Sequence, residues 1–158
     1  MLLNTPDIYT MVSGESEGIS KLNAFDIAIL NAGVGNTNLI KLSSILPSNA
    51  KFMSKINYSR GSLVPIAYGS IVSDKKNEII AASVAIAITE EDGFGVIMEY
   101  SGICSADEAK AIVSKMAEDA IKYRKMVLKE IKSIAIEHKV ENIGCAFCGV
   151  PMWYSEKL

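Results

Sequence analysis

Thr37-Asn38-Leu39-Ile40-Lys41-Leu42-Ser43-Ser44-Ile45-Leu46-Pro47 is the stretch on which the fold turns. It is rich in branched apolar residues, follows the turn-forming run Asn31-Ala32-Gly33-Val34-Gly35-Asn36, stops at Pro47 and has the length of one strand. Strand side chains alternate between faces, so Ile40, Leu42, Ser44 and Leu46 are expected on one side and Leu39, Lys41, Ser43 and Ile45 on the other. Ser44 then falls on a wholly apolar face. A hydroxyl there needs a partner or a chemical task, and a nearby carbonyl is its ordinary partner.

On either side the chain alternates between strand and helix patterns. Upstream, Ile8 to Ser13 reads as a strand and Gly14-Glu15-Ser16-Glu17-Gly18 as a flexible loop. Leu22, Phe25, Asp26, Ile29 and Leu30 fall at helical spacing, with Gly33 placed to end that helix. Downstream, Ser48 to Arg60 lacks periodicity and reads as a loop. Leu63 to Ser73 and Ile79 to Thr89 are apolar strands joined by Asp74-Lys75-Lys76-Asn77, which predicts an antiparallel hairpin. After the turn at Glu90-Glu91-Asp92-Gly93, Gly95 to Tyr100 forms a strand with Ile97 and Glu99 on one face. Ser105-Ala106-Asp107-Glu108 is a capping box opening a helix to about Leu128, buried through Ala109, Ile112, Val113, Met116, Ala120 and Ile121. Ile131 to His138 and Gly144 to Tyr154 complete the chain as strands.

The 158 residues suit one domain, and with 49% apolar residues they can bury a core without staples. A net charge of −2, with no basic run longer than Lys75-Lys76, points away from a nucleic-acid partner and from a polybasic membrane patch. No apolar run is long enough to span a bilayer, and Met1-Leu2-Leu3-Asn4 lacks the pattern of a secretory signal, so a cytoplasmic protein with three reduced cysteines is expected.

Two carboxylates stand out against their patterns. Asp26 interrupts an apolar helical stripe and must lie at its margin, pair with a cation or be neutralised. Glu99 sits beside the core on its strand, where the ordinary reading is a strand-end carboxylate facing water. Other constellations are weaker. Gly33-Val34-Gly35 follows a helix and lacks the third glycine of a dinucleotide loop. Cys145-Ala146-Phe147-Cys148 has metal or redox spacing, with Cys104 and His138 available to complete a set. On a strand, however, positions three apart face opposite sides. His138 is the single histidine, and no nucleophile-elbow glycines flank a serine.

As an ordered set, several segments resemble the pyruvoyl-dependent arginine decarboxylases. They are Leu22-Asn23-Ala24-Phe25-Asp26, Leu30-Asn31-Ala32-Gly33-Val34-Gly35-Asn36, Asn38-Leu39-Ile40, Ser43-Ser44-Ile45-Leu46-Pro47, Leu63-Val64-Pro65-Ile66-Ala67-Tyr68-Gly69, Met98-Glu99-Tyr100, Gly144-Cys145-Ala146-Phe147 and Trp153-Tyr154. The similarity runs from about residue 12 to residue 154. It implies an α+β fold, a four-layer αββα sandwich with mainly antiparallel sheets, in a single domain over residues 1–158. It also implies a proenzyme that cuts itself into 1–43 (β chain) and 44–158 (α chain), and a homotrimer with active sites between subunits.

The resemblance assigns chemistry to the odd residues. Ser44 matches the serine that attacks the carbonyl of Ser43, at the cleavage site, and becomes a covalent pyruvoyl group; neither pyridoxal phosphate nor a metal is implied. Asn38 matches a residue that assists this processing. The pyruvoyl ketone would form an imine with the substrate amine and accept electrons as carbon dioxide leaves, with Glu99 matching the residue that returns a proton. Asp26 matches the carboxylate that receives the guanidinium, and Leu22 and Gly35 match further substrate contacts. The activity implied is conversion of L-arginine to agmatine, an entry to polyamine biosynthesis. Lys51 to Arg60 and Cys148 to Met152 depart from the family pattern. The same chemistry on ornithine or lysine therefore stays open, as does an uncleaved, non-catalytic trimer that binds a cationic metabolite.

Overall fold

In a computed structural model, which describes residues 4–157, ten strands and two α-helices form an α+β sandwich. Met1–Leu3, on which the reading of a leaderless start rests, and Leu158 lie outside the described residues. The strands are β1 (Ile8–Tyr9), β2 (Val12–Glu17), β3 (Asn38–Lys41), β4 (Ile45–Leu46), β5 (Lys51–Phe52), β6 (Leu63–Ser73), β7 (Ile79–Thr89), β8 (Gly95–Gly102), β9 (Leu128–Lys139) and β10 (Gly144–Trp153), with α1 over Lys21–Asn31 and α2 over Ala106–Tyr123. One sheet runs β3-β6-β10-β1-β5, with β2 also on β10; the other runs β4-β8-β7-β9. Among the described residues only β1 with β5 and β3 with β6 pair in parallel.

The layering follows from which side chains each strand can offer. Along β7 the large residues Ile80, Val84, Ile86 and Ile88 face the first sheet, meeting Ala146, Cys148, Val150 and Met152 of β10. The intervening Ala85 and Ala87 face α2, whose own Ala109, Ala117 and Ala120 are buried. Small residues on both sides let helix and sheet approach closely, while branched side chains fill the space between the sheets. On the opposite side α1 packs Ala24, Ala28 and Ile29 against Ile66, Cys145 and Phe147. The result is α1, first sheet, second sheet, α2, as the resemblance implies. Among the described residues no helix is long and apolar enough to cross a membrane.

Several sequence expectations fail in instructive ways. Thr37 to Pro47 is not one strand: β3 belongs to the first sheet and β4 to the second, and the chain crosses between them at Leu42–Ser44. The alternation that put Ser44 on an apolar face therefore does not hold, and Ser44 lies at the crossover with φ at +77°. β6 and β7 do not form a hairpin, since they belong to facing sheets; each is buried on both faces, so neither needs the other as an edge partner. The supposed loop Gly14–Gly18 lies largely in β2. A methyl group on Gly14 would come within 2.1 Å of the Ala28 carbonyl, so the glycine serves close packing against α1, not flexibility. Within the supposed loop Ser48–Arg60, Lys51–Phe52 pairs with β1. The second helix ends at Tyr123, short of Leu128, and Lys125 takes a left-handed backbone.

Candidate active site

The crossover between the sheets brings Ser44 to Glu99. β4 pairs with β8 so that Ile45 is opposite Val96, and the Ile97 N–H donates to the Ser44 carbonyl at 2.9 Å. Two residues on, on the same face of β8 as Ile97, Glu99 receives the Ser44 hydroxyl at 3.1 Å through Oε2. The contact closes over 55 residues of sequence. Ser44 is held in a left-handed conformation that costs a side-chain-bearing residue on the order of 1–3 kcal/mol, so the surrounding hydrogen bonds must impose it. Glu99 in turn stands over Gly69 of β6, the residue with no side chain to displace it.

An open cleft of about 290 Å³ gives access to this pair, lined by Ser43, Ser44, Ile45, Val96, Ile97, Met98, Glu99 and Arg124. Ser43, Ser44 and Glu99 are thus brought together. Arg124 is an addition that the sequence did not suggest, because it follows the end of α2 and shares no local pattern with the other three.

The remaining residues singled out in the sequence lie elsewhere in the chain. Asn38 opens β3, and its Nδ2 donates to the Gly61 carbonyl at 3.0 Å. Asp26 and Leu22 are exposed on α1, Leu22 at 77% of its surface. The stripe proposed for α1 is therefore corrected: Ala24, Ala28 and Ile29 are buried, while Leu22, Asp26 and Leu30 face outward. In α2, likewise, Ile112 and Met116 are partly exposed and Ala117 is buried instead. Gly35 follows Gly33, which caps α1 with φ at +85°, and a methyl group on Gly35 would meet the Leu30 nitrogen at 2.6 Å. Leu22, Asp26 and Gly35 do not line the Ser44–Glu99 cleft.

The cysteine and histidine alternatives resolve structurally. Cys145 faces α1 and Cys148 faces the sheet interface, so the two thiols point to opposite sides of β10 and do not converge as a redox or metal pair, and burial pushes both up to about 12. His138 is enclosed by Glu15 at Nδ1 and by Glu17 at Nε2, the latter at 2.7 Å. Glu17 also accepts the N–H groups of Glu141, Asn142 and Ile143 at 2.8–3.0 Å. Partial burial raises its carboxyl, but His138 and these three donors outweigh that and hold it at about 2.

Comparison with known proteins accords with this geometry. The family described as pyruvoyl-dependent arginine decarboxylase matches residues 8–156. The chain is 47% identical over 150 residues to the pyruvoyl-dependent arginine decarboxylase of Methanocaldococcus jannaschii, covering 94% of this chain and 91% of that protein. It is 43% identical to that of Methanococcus vannielii over 94% of this chain and 92% of the relative. It is 40% identical to that of Pyrococcus abyssi over 90% and 91%. Among solved structures, a pyruvoyl-dependent histidine decarboxylase superposes with a TM-score of 0.50 at 14% identity, over 60% of this chain and 52% of that one, a likeness of fold.

Proposed function

The chain belongs to the pyruvoyl-dependent arginine decarboxylase family, and from that premise we propose that it cuts itself between Ser43 and Ser44 and decarboxylates L-arginine to agmatine in the cytoplasm. One observation carries the proposal: Ser44 sits in a left-handed backbone at a sheet crossover, with its hydroxyl on Glu99. A strained peptide beside a potential proton acceptor is where a backbone rearrangement is cheapest to start.

In the first reaction Ser44 Oγ adds to the Ser43 carbonyl carbon and the Ser43–Ser44 C–N bond breaks, leaving an ester. Elimination releases Ser43 as a carboxylate, and water then replaces the nitrogen, which leaves as ammonia, so that residue 44 ends as a ketone. The site accommodates the product: residue 44 opens into the cleft, and its carbonyl is already fixed by the Ile97 amide. A pyruvoyl group supplies a carbonyl electrophile that takes up the electron pair released with carbon dioxide. Glu99, within hydrogen-bond reach of residue 44, is placed to hold the proton that returns to the α-carbon. Val96, Ile97 and Met98 give that end of the cleft apolar walls.

Asp26, Leu22 and Gly35 recognise the substrate's far end from a neighbouring copy in a homotrimer, and Asn38 assists processing. This reading is supported by the outward placement of Leu22 and Asp26 on α1, the outer layer against the first sheet, while Ser44 leads into the second. A carboxylate suits a guanidinium through two charge-assisted hydrogen bonds.

The experiment is intact mass and turnover of the purified protein. Fragments 1–43 and 44–158, the larger with a ketone-blocked N-terminus, are expected, together with carbon dioxide release from arginine faster than from ornithine or lysine. Ser44→Ala should remain one folded, inactive chain. An uncut wild type that is fully active would overturn the proposal; faster turnover of ornithine or lysine would reassign the substrate.

A further inference from the structure

Among the described residues Arg124 is the one cation that lines the cleft of Ser43, Ser44 and Glu99. It caps the C-terminus of α2, and its Nη1 donates to the Ala120 carbonyl at 2.9 Å. That bond fixes the guanidinium at a helix end whose dipole is negative and favours a positive charge. The guanidinium has five N–H donors, so one anchoring bond leaves others to offer. Among the described residues no carboxylate pairs with it, whereas Lys21, Lys115 and Lys122 are all engaged by acids. It is a positioned cation with spare donors, lining the same cleft as the residue on which the reaction takes place.

We propose that Arg124 is a specificity-determining residue that recognises the α-carboxylate of the incoming substrate and so distinguishes substrate from product. The inference rests on the decarboxylase reading of the same site. The reacting carbon has to lie at residue 44, so the carboxylate it carries lies within the cleft that Arg124 lines, where a cation favours it over the substrate's own side-chain cation. The carboxylate is also the only charge that the reaction removes. Arginine enters with one negative and two positive charges, and the amine leaves with the two positive charges alone. Arg124 therefore attracts the group about to be lost and repels the dication that remains. It favours binding in the right orientation and expels the product, and it does not accelerate the bond-breaking step, because a contact made in the ground state and lost as carbon dioxide departs cannot lower that barrier.

The test is Arg124→Gln, with Arg124→Lys as the variant that keeps the charge without the planar fork. After complete self-cleavage, verified by mass, Arg124→Gln should raise the Michaelis constant for arginine by about tenfold while agmatine inhibits it more tightly, by roughly threefold. Arg124→Lys should fall between. The single-turnover rate at saturating arginine should not drop. Argininamide, which lacks the carboxylate charge, should bind wild type more weakly than arginine does and, like agmatine, should bind Arg124→Gln at least as tightly as it binds wild type.

A general loosening of the cleft would instead weaken substrate, product and amide together, and that outcome overturns the assignment. So does an Arg124→Gln chain that stays uncut, which would make Arg124 part of processing. If Arg124→Gln does not fold, Arg124→Lys decides: unchanged values for both arginine and agmatine with that variant overturn the role of the fork. A wild type that neither cuts nor decarboxylates would remove the underlying reading, a result separable from any behaviour of the variants.

Discussion

Gly69 supports Glu99 from the facing sheet: a methyl group placed on Gly69 would stand 3.3 Å from the Glu99 Cβ and 3.5 Å from the Tyr100 nitrogen. The carboxylate that reaches Ser44 is thus seated on bare backbone. Gly69→Ala should push Glu99 outward by a few tenths of an ångström, enough to misplace a proton donor while leaving the buried strand intact. We expect turnover to fall by about tenfold with little loss of thermal stability. Initial rates and a melting curve on the same preparation check it; a large drop in melting temperature with normal turnover per folded molecule would place the effect in packing instead.

Glu99→Gln keeps the shape of the side chain and removes its transferable proton. Turnover should slow by about 10²- to 10⁴-fold if Glu99 returns the proton to the substrate carbon. Steady-state rates on protein that mass spectrometry shows to be cut are the measurement. A rate within twofold of wild type would leave Glu99 with only its hydrogen bond to residue 44.

Asp26→Asn tests the far end of the substrate. An amide cannot offer two acceptors to a guanidinium, so arginine binding should weaken by about 2–5 kcal/mol while cleavage proceeds. An unchanged arginine Michaelis constant would return Asp26 to a plain solvated position on α1.

Glu17 links stability to pH. Its carboxyl is held at about 2 in the folded chain against an ordinary 4.5, so the stabilisation is complete above pH 4.5 and drains away as pH falls toward 2. Glu17→Gln should destabilise the protein near neutrality by roughly 1–3 kcal/mol, since the amide meets His138 and the three turn amides with a weaker acceptor. The difference from wild type should shrink in acid. Denaturant melts at pH 7 and pH 3 check this, and equal destabilisation at both would remove the ionic part of the argument.

Local chemistry made α2 legible through the Ser105–Glu108 box, observed here with both reciprocal bonds, and Gly33 gave away the end of α1. The apolar strands β6, β7, β8 and β10 were visible for the same reason. Pairing was not visible. Residues 63–89 read as a hairpin because charged residues between two apolar runs look the same whether the chain returns within a sheet or crosses to another. Likewise, nothing in Leu42-Ser43-Ser44 signals a positive φ, which the pairing of Ile45 with Val96 imposes from outside. His138 and Glu17 meet across 121 residues, so their contact has no local pattern to betray it. Ser44 and Glu99 were identified by resemblance; the geometry adds that they touch.

The place of the crossover has a consequence for how the molecule is made. β1, β2, α1 and β3 all precede Ser44, yet β1 and β2 are laddered to β10 and β3 to β6, both from the later part of the chain. A cut at residue 43 therefore severs no sheet ladder and leaves two interwoven polypeptides that cannot part without dismantling the first sheet. Before the cut, folding is a unimolecular event. Afterwards, recovering the same structure from the denatured state is a second-order encounter between a 43-residue piece and its complement, dependent on concentration. A chain cut there would be assembled only once as a single polypeptide, and its lifetime would then be governed by the rate at which it opens, not by its folding equilibrium.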